Sequence, residues 1–172
     1  VYFDNTAFVG SFREIQRFLF FCYAIRAVLH EGEMTPDLIH CHDWHTAILP
    51  TILTEEEKNI PTLLTIHNLA NQGKWKRAEV EKWLKTSITT WAGTASDVNI
   101  LEQGLVSATF LSTVSPSYAK EILTPEYSEK LETPLHARRK KLVGILNGID
   151  QERYNPETDP AVTFHYDAEN IA

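Results

Sequence analysis

The chain has 172 residues, 43% hydrophobic and 23% charged, which suits one folded domain with a sizeable core. Its formal net charge of −7 argues against a nucleic-acid-binding surface, because such surfaces are normally basic. No stretch is long and apolar enough to suggest a membrane span, and no signal peptide is recognisable. The sequence opens on Val1 without an initiator methionine, which suggests a processed product or an excised fragment.

Two local features add to this outline. The basic run at residues 138–141 is interpreted as a solvated helix face, with a phosphate contact as the alternative. Cys22 and Cys41 are far apart in the sequence and lie in apolar surroundings. They are predicted to be buried free thiols in a reducing compartment rather than a disulfide of a secreted protein.

The first predicted element is an amphipathic helix. Residues 11–14 have the pattern of a capping box, and apolar residues recur at helical spacing from Ile15 to Leu29. Gly32 predicts its end.

A strand, a helix and a second strand are predicted next. The first strand covers residues 38–42, and Asp43 stands where it would cap a helix running from residue 44 to about 56. Pro50 is expected to kink this helix or to shift its start. An apolar run at residues 62–66 predicts the second strand.

The second half is predicted to continue this alternation, although residues 74–99 show no clear pattern apart from a break at 93–97. Apolar strands that alternate with helices are typical of a parallel sheet. The predicted fold class is therefore α/β, with a Rossmann-like parallel sheet and helices on both faces. The remaining predicted elements are a helix at 98–108, a strand at 110–114, a helix capped by Ser115, an irregular segment at 124–135 and a strand at 141–146.

Polar side chains follow three of the predicted strands. Residues 40–45 end the first, His67 and Asn68 end the second, and residues 147–150 end the fourth. In open α/β sheets ligands bind outside the carboxyl ends of the strands, so these groups form a candidate site. The alternative is that the Asn and Asp residues there only cap helices and form turns.

A metal site is the second interpretation of the histidines. His40 and His42 share one face of a strand, and Asp43 and His45 follow closely, so the four residues could hold zinc in a metal-dependent hydrolase. The alternative is a histidine that is hydrogen-bonded to the backbone. Nucleophile-elbow and glycine-rich phosphate-binding motifs are absent.

Several blocks of the sequence resemble bacterial glycogen synthase and plant starch synthase. They are PDLIHCHDWHTAILPTIL, PTLLTIHNLANQGKW, STVSPSYAKEIL and GILNGIDQERYNPETDP, and RFLFFCYAIRAVL is similar to the helix before the first of them. The resemblance covers residues 18–160 except a poorly matching stretch at 76–98. It implies a GT-B glycosyltransferase with two Rossmann-like domains, which moves glucose from ADP-glucose, or UDP-glucose in some relatives, to the non-reducing end of an α-1,4-glucan. It further implies retention of configuration and no cofactor.

By this resemblance, residues 1–172 are part of the N-terminal, acceptor-side catalytic domain. The family's lysine–glycine loop and its C-terminal nucleotide-binding domain are not found in the sequence. The expected partners are therefore the nucleotide-sugar donor, the α-glucan acceptor and that missing domain, and neither nucleic acid nor a membrane. The isolated chain is expected to be inactive, and the location cytoplasmic, or plastid in a plant. The alternative from another class is a non-catalytic glucan-binding or scaffold module of the same fold.

The resemblance also assigns roles to single residues. His67 matches the active-site histidine of the family and Asp43 an aspartate important for activity, so these two are the predicted catalytic residues. Trp44 and Trp75 are predicted either to stack on sugars or to pack in the core. Asn71 stands where the family usually has an aromatic residue. The predicted substrate-binding residues are Asn68, Gln72, Gly73, Asn147 and His45.

Overall fold

A computed structural model of the chain describes residues 10–32, 34–53, 57–85, 87 and 90–170. The strands within these ranges are, in chain order, β1 (Ile39–His42), β2 (Thr62–Ile66), β3 (Lys74–Lys76), β4 (Asp97–Asn99), β5 (Phe110–Thr113) and β6 (Leu142–Gly144). The helices are α1 (Phe12–His30), α2 (Asp43–Thr46), α3 (Leu49–Ile52), α4 (Arg77–Leu84), α5 (Ile100–Ser107), α6 (Pro116–Glu121) and α7 (Glu132–Arg138).

Four of the strands form one parallel sheet in the order β1-β2-β5-β6. The register aligns His42 with Thr65, Thr65 with Ser112, and Ser112 with Val143. Helices α1, α2, α3 and α5 pack against one another beside this sheet, so the predicted parallel sheet with flanking helices is confirmed. Because all four strands run the same way, their carboxyl ends meet at one edge.

Burial alternates along the first strand of this sheet. Ile39 and Cys41 are buried, whereas His40 and His42 are exposed. In β2, Leu64 and Ile66 are fully buried in the same core. They share one face of the strand, because successive side chains of a strand point to opposite faces. One face of β1 therefore belongs to the core, and its other face presents two imidazoles.

The predicted helix after β1 is divided into α2 and α3. Pro50 lies in the first turn of α3, where its missing N–H is tolerated, so the expected shift of the helix start is confirmed. The predicted capping role of Asp43 is wrong. Asp43 is the first residue of α2, its φ is +50°, and its carboxylate binds the backbone beyond β2 instead. The end of the predicted helix, residues 54–56, lies outside the described residues.

Helix α1 begins after Ser11, as predicted, but the capping box does not form. The Ser11 side chain makes no cap hydrogen bond, and the Glu14 carboxylate accepts from the backbone N–H of Gly10 at 2.9 Å. Glu14 thus reaches one residue further than the capping box requires. The helix ends at His30, and Gly32 follows in the left-handed conformation with φ +73°.

The middle of the chain contains a small antiparallel sheet that sequence patterns did not predict. Strands β3 and β4 are three residues long and pair Trp75 with Val98. Elements this short contain too few residues to show a period of two. Helix α5 begins at Ile100, where the Asn99 side chain accepts a hydrogen bond from the backbone N–H of Glu102.

Three expectations for the later segments need correction. Helix α7 overlaps the segment predicted to be irregular, because Pro134 falls in its first turn, where proline is tolerated. The basic run is not simply a solvated face, since the Arg138 guanidinium donates to the backbone carbonyls of Ala108 and Thr109. Strand β6 is also shorter than predicted and ends at Gly144.

The two cysteines are buried free thiols, as predicted. Burial raises the pKa of Cys22 to about 12 and that of Cys41 to about 11. Within the described part of the chain, the helices are all too short or too polar to cross a membrane.

Candidate active site

Asp43 joins the ends of two neighbouring strands. Its Oδ1 accepts a hydrogen bond from the backbone N–H of His67 at 2.7 Å and a second from that of Asn68 at 3.2 Å. The left-handed backbone of Asp43 ends β1 abruptly, and aspartate is among the residues that tolerate this conformation best. The predicted catalytic residues Asp43 and His67 are therefore in direct contact.

The His67 imidazole lies beside His42, which was predicted only as one of the strand-end residues and as a possible zinc ligand. His67 Nε2 and His42 Nδ1 are 3.0 Å apart, and the two rings are stacked with centroids 5.3 Å apart. The ring of His40 lies 4.1 Å from that of His42, and its Nε2 is 2.7 Å from Thr65 Oγ1. Burial, followed by the charges of His40 and His67, lowers the pKa of His42.

The turn after His67 is held by its own side chains. Asn68 Oδ1 accepts from the backbone N–H of Ala70 at 3.0 Å, which is a local turn of the kind asparagine favours. The backbone N–H of Leu69 donates to the Tyr118 hydroxyl at 3.3 Å, and the Leu69 side chain is fully buried. The Tyr118 hydroxyl thus holds the backbone of the turn at Leu69.

Gln72 lies in the interior, and both the oxygen and the nitrogen of its amide are hydrogen-bonded there. Its Oε1 accepts from Asn99 Nδ2 at 2.7 Å, and its Nε2 donates to the backbone carbonyl of Glu129 at 3.0 Å. Its backbone carbonyl accepts from the N–H of Leu101 at 3.0 Å. The side chain is only 6% exposed, so the structure shows an anchor, and a role in substrate binding stays a prediction.

Gly73 and Trp44 are in close contact. Gly73 has φ +61°, and a Cβ built on it would lie 2.4 Å from Cε3 of Trp44. Trp44 is 6% exposed and packs against the rings of Phe18 and His45, so of its two predicted roles the core one is confirmed. Trp75 is half-buried and stacks on another aromatic ring, that of Phe12, at 5.6 Å.

A cavity of about 440 Å³ opens between the N-terminus of α1 and the loop that follows β2. The predicted substrate-binding residues His45, Gln72 and Gly73 all line it. Burial lowers the pKa of His45. The polar and aromatic side chains at its wall include Glu14, Trp44, His45, Asn71, Lys74 and Trp75.

Two groups of predicted residues are not brought together. Asn147 is exposed beyond the end of β6, and the hydrogen bonds of Asp43 and His67 among the described residues do not involve it. Among all the residues that the structure describes, no group of three or more His, Cys, Asp or Glu side chains could hold a metal ion. The zinc site considered for His40, His42, Asp43 and His45 therefore has no structural support.

Sequence reasoning placed His42 in the strand-end group and in the possible zinc site without relating it to His67, and it overlooked Asn99. A signal for His42 was present in the sequence, because His40 and His42 are two residues apart on a strand and therefore share a face. Parallel pairing of β1 with β2 then brings His42 close to His67, which follows β2. No such signal existed for Asn99, because it contacts Gln72 only through the pairing of β3 with β4.

Comparison with known proteins identifies the family. The family model described as the starch synthase catalytic domain matches residues 1–137. Glycogen synthase of Geobacillus thermodenitrificans is 40% identical over 96% of this chain, which covers 36% of that protein. Glycogen synthase of Lacticaseibacillus casei is 41% identical over 99% of the chain, covering 38% of that protein.

A solved structure gives the same result. The catalytic domain of starch synthase IV from Arabidopsis thaliana, bound to ADP and acarbose, has a TM-score of 0.75 and 30% identity to this chain. The match covers 94% of the chain and 35% of that structure. The chain therefore belongs to the starch synthase catalytic domain family of GT-B glycosyltransferases, and it spans little more than a third of the curated relatives that it matches.

Proposed function

We propose that this chain supplies the acceptor-side part of a glucosyltransferase of the glycogen and starch synthase type. The reaction is transfer of glucose from ADP-glucose, or UDP-glucose, to the non-reducing end of an α-1,4-glucan with retention of configuration. Membership of the family supports glucosyl transfer. The donor, the stereochemistry and the residue roles are our proposals, since the chain corresponds to 36% of a typical relative.

The observation that carries this proposal is the contact of Asp43 with the backbone of His67 and Asn68. A carboxylate that accepts two backbone N–H groups makes charge-assisted hydrogen bonds, which hold the peptide in one orientation. By resemblance, the backbone carbonyl of His67 lies near the reacting carbon. Asp43 would then act by aiming that carbonyl at positive charge that develops on the sugar in the transition state.

The cavity beside the strand ends fits the recognition of hydroxyl groups. Its wall combines a carboxylate, an imidazole, an amide and an ammonium group, namely Glu14, His45, Asn71 and Lys74. Such groups donate and accept hydrogen bonds in fixed directions, as a neutral sugar requires. The structural neighbour from Arabidopsis was solved with ADP and acarbose, which supports nucleotide-sugar and glucan ligands for this family member.

The diphosphate of the donor needs cationic side chains to neutralise its charge, and the cavity has few of them. Lys74 is the one cationic side chain among the described residues that line the cavity. By resemblance, the nucleotide-binding domain supplies the basic side chains. We therefore propose that residues 1–172 alone do not transfer glucose, and that the nucleotide-binding domain is their partner.

The test compares the 172-residue chain with any longer product of its gene. Each is incubated with ADP-glucose or UDP-glucose and a maltooligosaccharide, and nucleotide release and glucan length are measured. We expect transfer only by the longer product, loss of that transfer in its His67→Ala variant, and an α-configured product by NMR. Robust transfer by the 172-residue chain would overturn the domain assignment, and a longer product without transfer would overturn the enzyme assignment.

A glucan-binding module without catalysis is the second candidate, favoured by one observation. Asn71 lines the cavity at a position where the family usually carries an aromatic residue. An amide there can bind a glucan hydroxyl but offers no ring face for stacking. Maltooligosaccharide binding measured by calorimetry, together with absence of transfer by the longest gene product, would select this function.

A further inference from the structure

His42 and His67 face each other through ring nitrogens, with Nδ1 of His42 3.0 Å from Nε2 of His67. This is a hydrogen-bond distance, so one of the two nitrogens carries the proton and the other accepts it. Among the described residues, no hydrogen-bond partner is found for Nδ1 of His67. His67 therefore has one ring nitrogen bound by the protein and one available to a ligand.

This geometry couples the tautomers of the two rings. A neutral imidazole has one N–H and one acceptor nitrogen. If His67 Nε2 donates, His42 Nδ1 is the acceptor, and both rings carry their protons on Nε2. If His42 Nδ1 donates, both rings carry their protons on Nδ1. The two neutral rings therefore always adopt the same tautomer while the hydrogen bond exists.

We propose that His42 is a positioning residue for His67, which fixes the plane of the His67 ring and offers its Nδ1 to the ligand. The identity of that ligand, a sugar hydroxyl, rests on the proposed function. The coupling itself does not rest on it, because both rings belong to this chain. A hydroxyl group can donate or accept a hydrogen bond, so it can bind Nδ1 of His67 in either tautomer. Because the two rings share their tautomer, the role that the hydroxyl takes also sets the tautomer of His42.

Titratable and polar groups from several elements surround the pair. His40 faces His42 from the same strand, with its ring 4.1 Å away, and it is itself held by the Thr65 hydroxyl of β2. That hydroxyl lies 2.7 Å from Ser112 Oγ of β5. Asp43, at the start of α2, supplies the negative charge that acts on His42 within the described part of the chain. A proton added to one ring leaves a single proton between the two facing nitrogens and keeps the hydrogen bond, whereas protonation of both rings would place two N–H groups against each other and break it.

Imidazole nitrogen NMR tests the proposal directly. Two-bond proton–nitrogen spectra of the labelled chain are recorded at about pH 8.5, where histidine with an ordinary pKa is neutral. In the wild type we expect His42 and His67 to show the same tautomer, each with one protonated and one bare nitrogen. In His42→Ala, we expect both His67 nitrogens to move towards the averaged position of a freely exchanging ring.

Two variants serve as controls. His42→Asn keeps a polar atom near the position of Nδ1 and should restore the wild-type His67 spectrum. His40→Gln removes a neighbouring ring that makes no hydrogen bond to His67 and should leave that spectrum unchanged. Opposite tautomers in the wild type, or an unaltered His67 spectrum in His42→Ala, would overturn the proposal. These spectra need no catalysis, so absence of glucosyl transfer contradicts the proposed function and not this coupling.

Discussion

Two polar regions meet at the loop that follows β2 and have opposite environments. Asp43, His67 and Asn68 form a cluster at the exposed ends of β1 and β2, whereas Gln72 and Asn99 form a buried pair behind the same loop. In the exposed cluster the backbone is fixed and an imidazole nitrogen is available to a ligand. In the buried pair every amide contact is internal. Residue type alone therefore does not separate a polar side chain that is open to a ligand from an internal anchor, and burial does.

The largest effect on stability is expected for Gly73→Ala, which tests the packing of the loop that carries the buried Gln72. The added Cβ would collide with the Trp44 ring, and alanine is strained at φ +61°. We expect the free energy of unfolding to fall by roughly 2–4 kcal/mol, measured by urea denaturation. Gly148→Ala is the matched control, because no atom lies within 4 Å of the position that its Cβ would take, and it should unfold like the wild type. Equal stability of the two variants would contradict the close packing of Gly73 against Trp44.

Removal of the buried amide comes next in size. Gln72→Leu leaves Asn99 Nδ2 and the carbonyl of Glu129 without their partner. We expect a loss of about 2 kcal/mol in the free energy of unfolding. Asn71→Ala, at the exposed neighbouring position, should change stability by less than about 0.5 kcal/mol. If both variants lose the same stability, Gln72 is not an anchor.

Asp43 belongs to the exposed cluster and yet organises backbone. In Asp43→Ala, the N–H groups of His67 and Asn68 lose their acceptor, and alanine is placed at φ +50°. We expect a loss of about 1–2 kcal/mol by thermal or urea unfolding. Asparagine tolerates this conformation and keeps an acceptor oxygen, so Asp43→Asn should lose clearly less. Equal losses would mean that the carboxylate oxygen is not what holds the turn.

His67→Ala should have almost no effect on stability. The side chain is exposed, and its ring contact is with another exposed histidine. We expect a change within about 0.5 kcal/mol in urea unfolding, although the same substitution removes the group proposed to contact the sugar. A large destabilisation would show that the His67 side chain is a structural anchor, like that of Gln72, and would contradict the difference between the two regions.

The smallest expected effect is a pH dependence at His45. Burial lowers its pKa in the folded state below that of the unfolded chain, despite the opposing charges of Asp43 and Glu14. Its contribution to stability is therefore present above the unfolded pKa of about 6.5 and is lost as pH falls through the folded pKa. Urea unfolding at about pH 7.5 and pH 5.5 should show a smaller loss in His45→Gln than in the wild type. An identical loss would exclude this contribution.

Much of the architecture was readable because its signals are local. The apolar runs of β1, β2 and β5 and the Ser115 cap of α6, whose Oγ accepts from the N–H of Tyr118 at 2.9 Å, depend on neighbours in the sequence. The placement of polar residues at strand ends likewise followed from strand direction. Strand direction therefore placed Asp43 and His67 at a candidate site, whereas their catalytic roles were predicted only from the resemblance to a known family.

The sequence by itself determined the α/β class, the presence of polar residues at the strand ends and the family. Only the tertiary structure decided what each polar side chain does, because that depends on partners about 25 residues or more away. Asp43 has the sequence context of a helix cap but binds the turn after β2, and nothing in the sequence around Gln72 indicates that its amide binds Asn99. Such bonds form between separate elements once the strands are in register, so no local pattern records them.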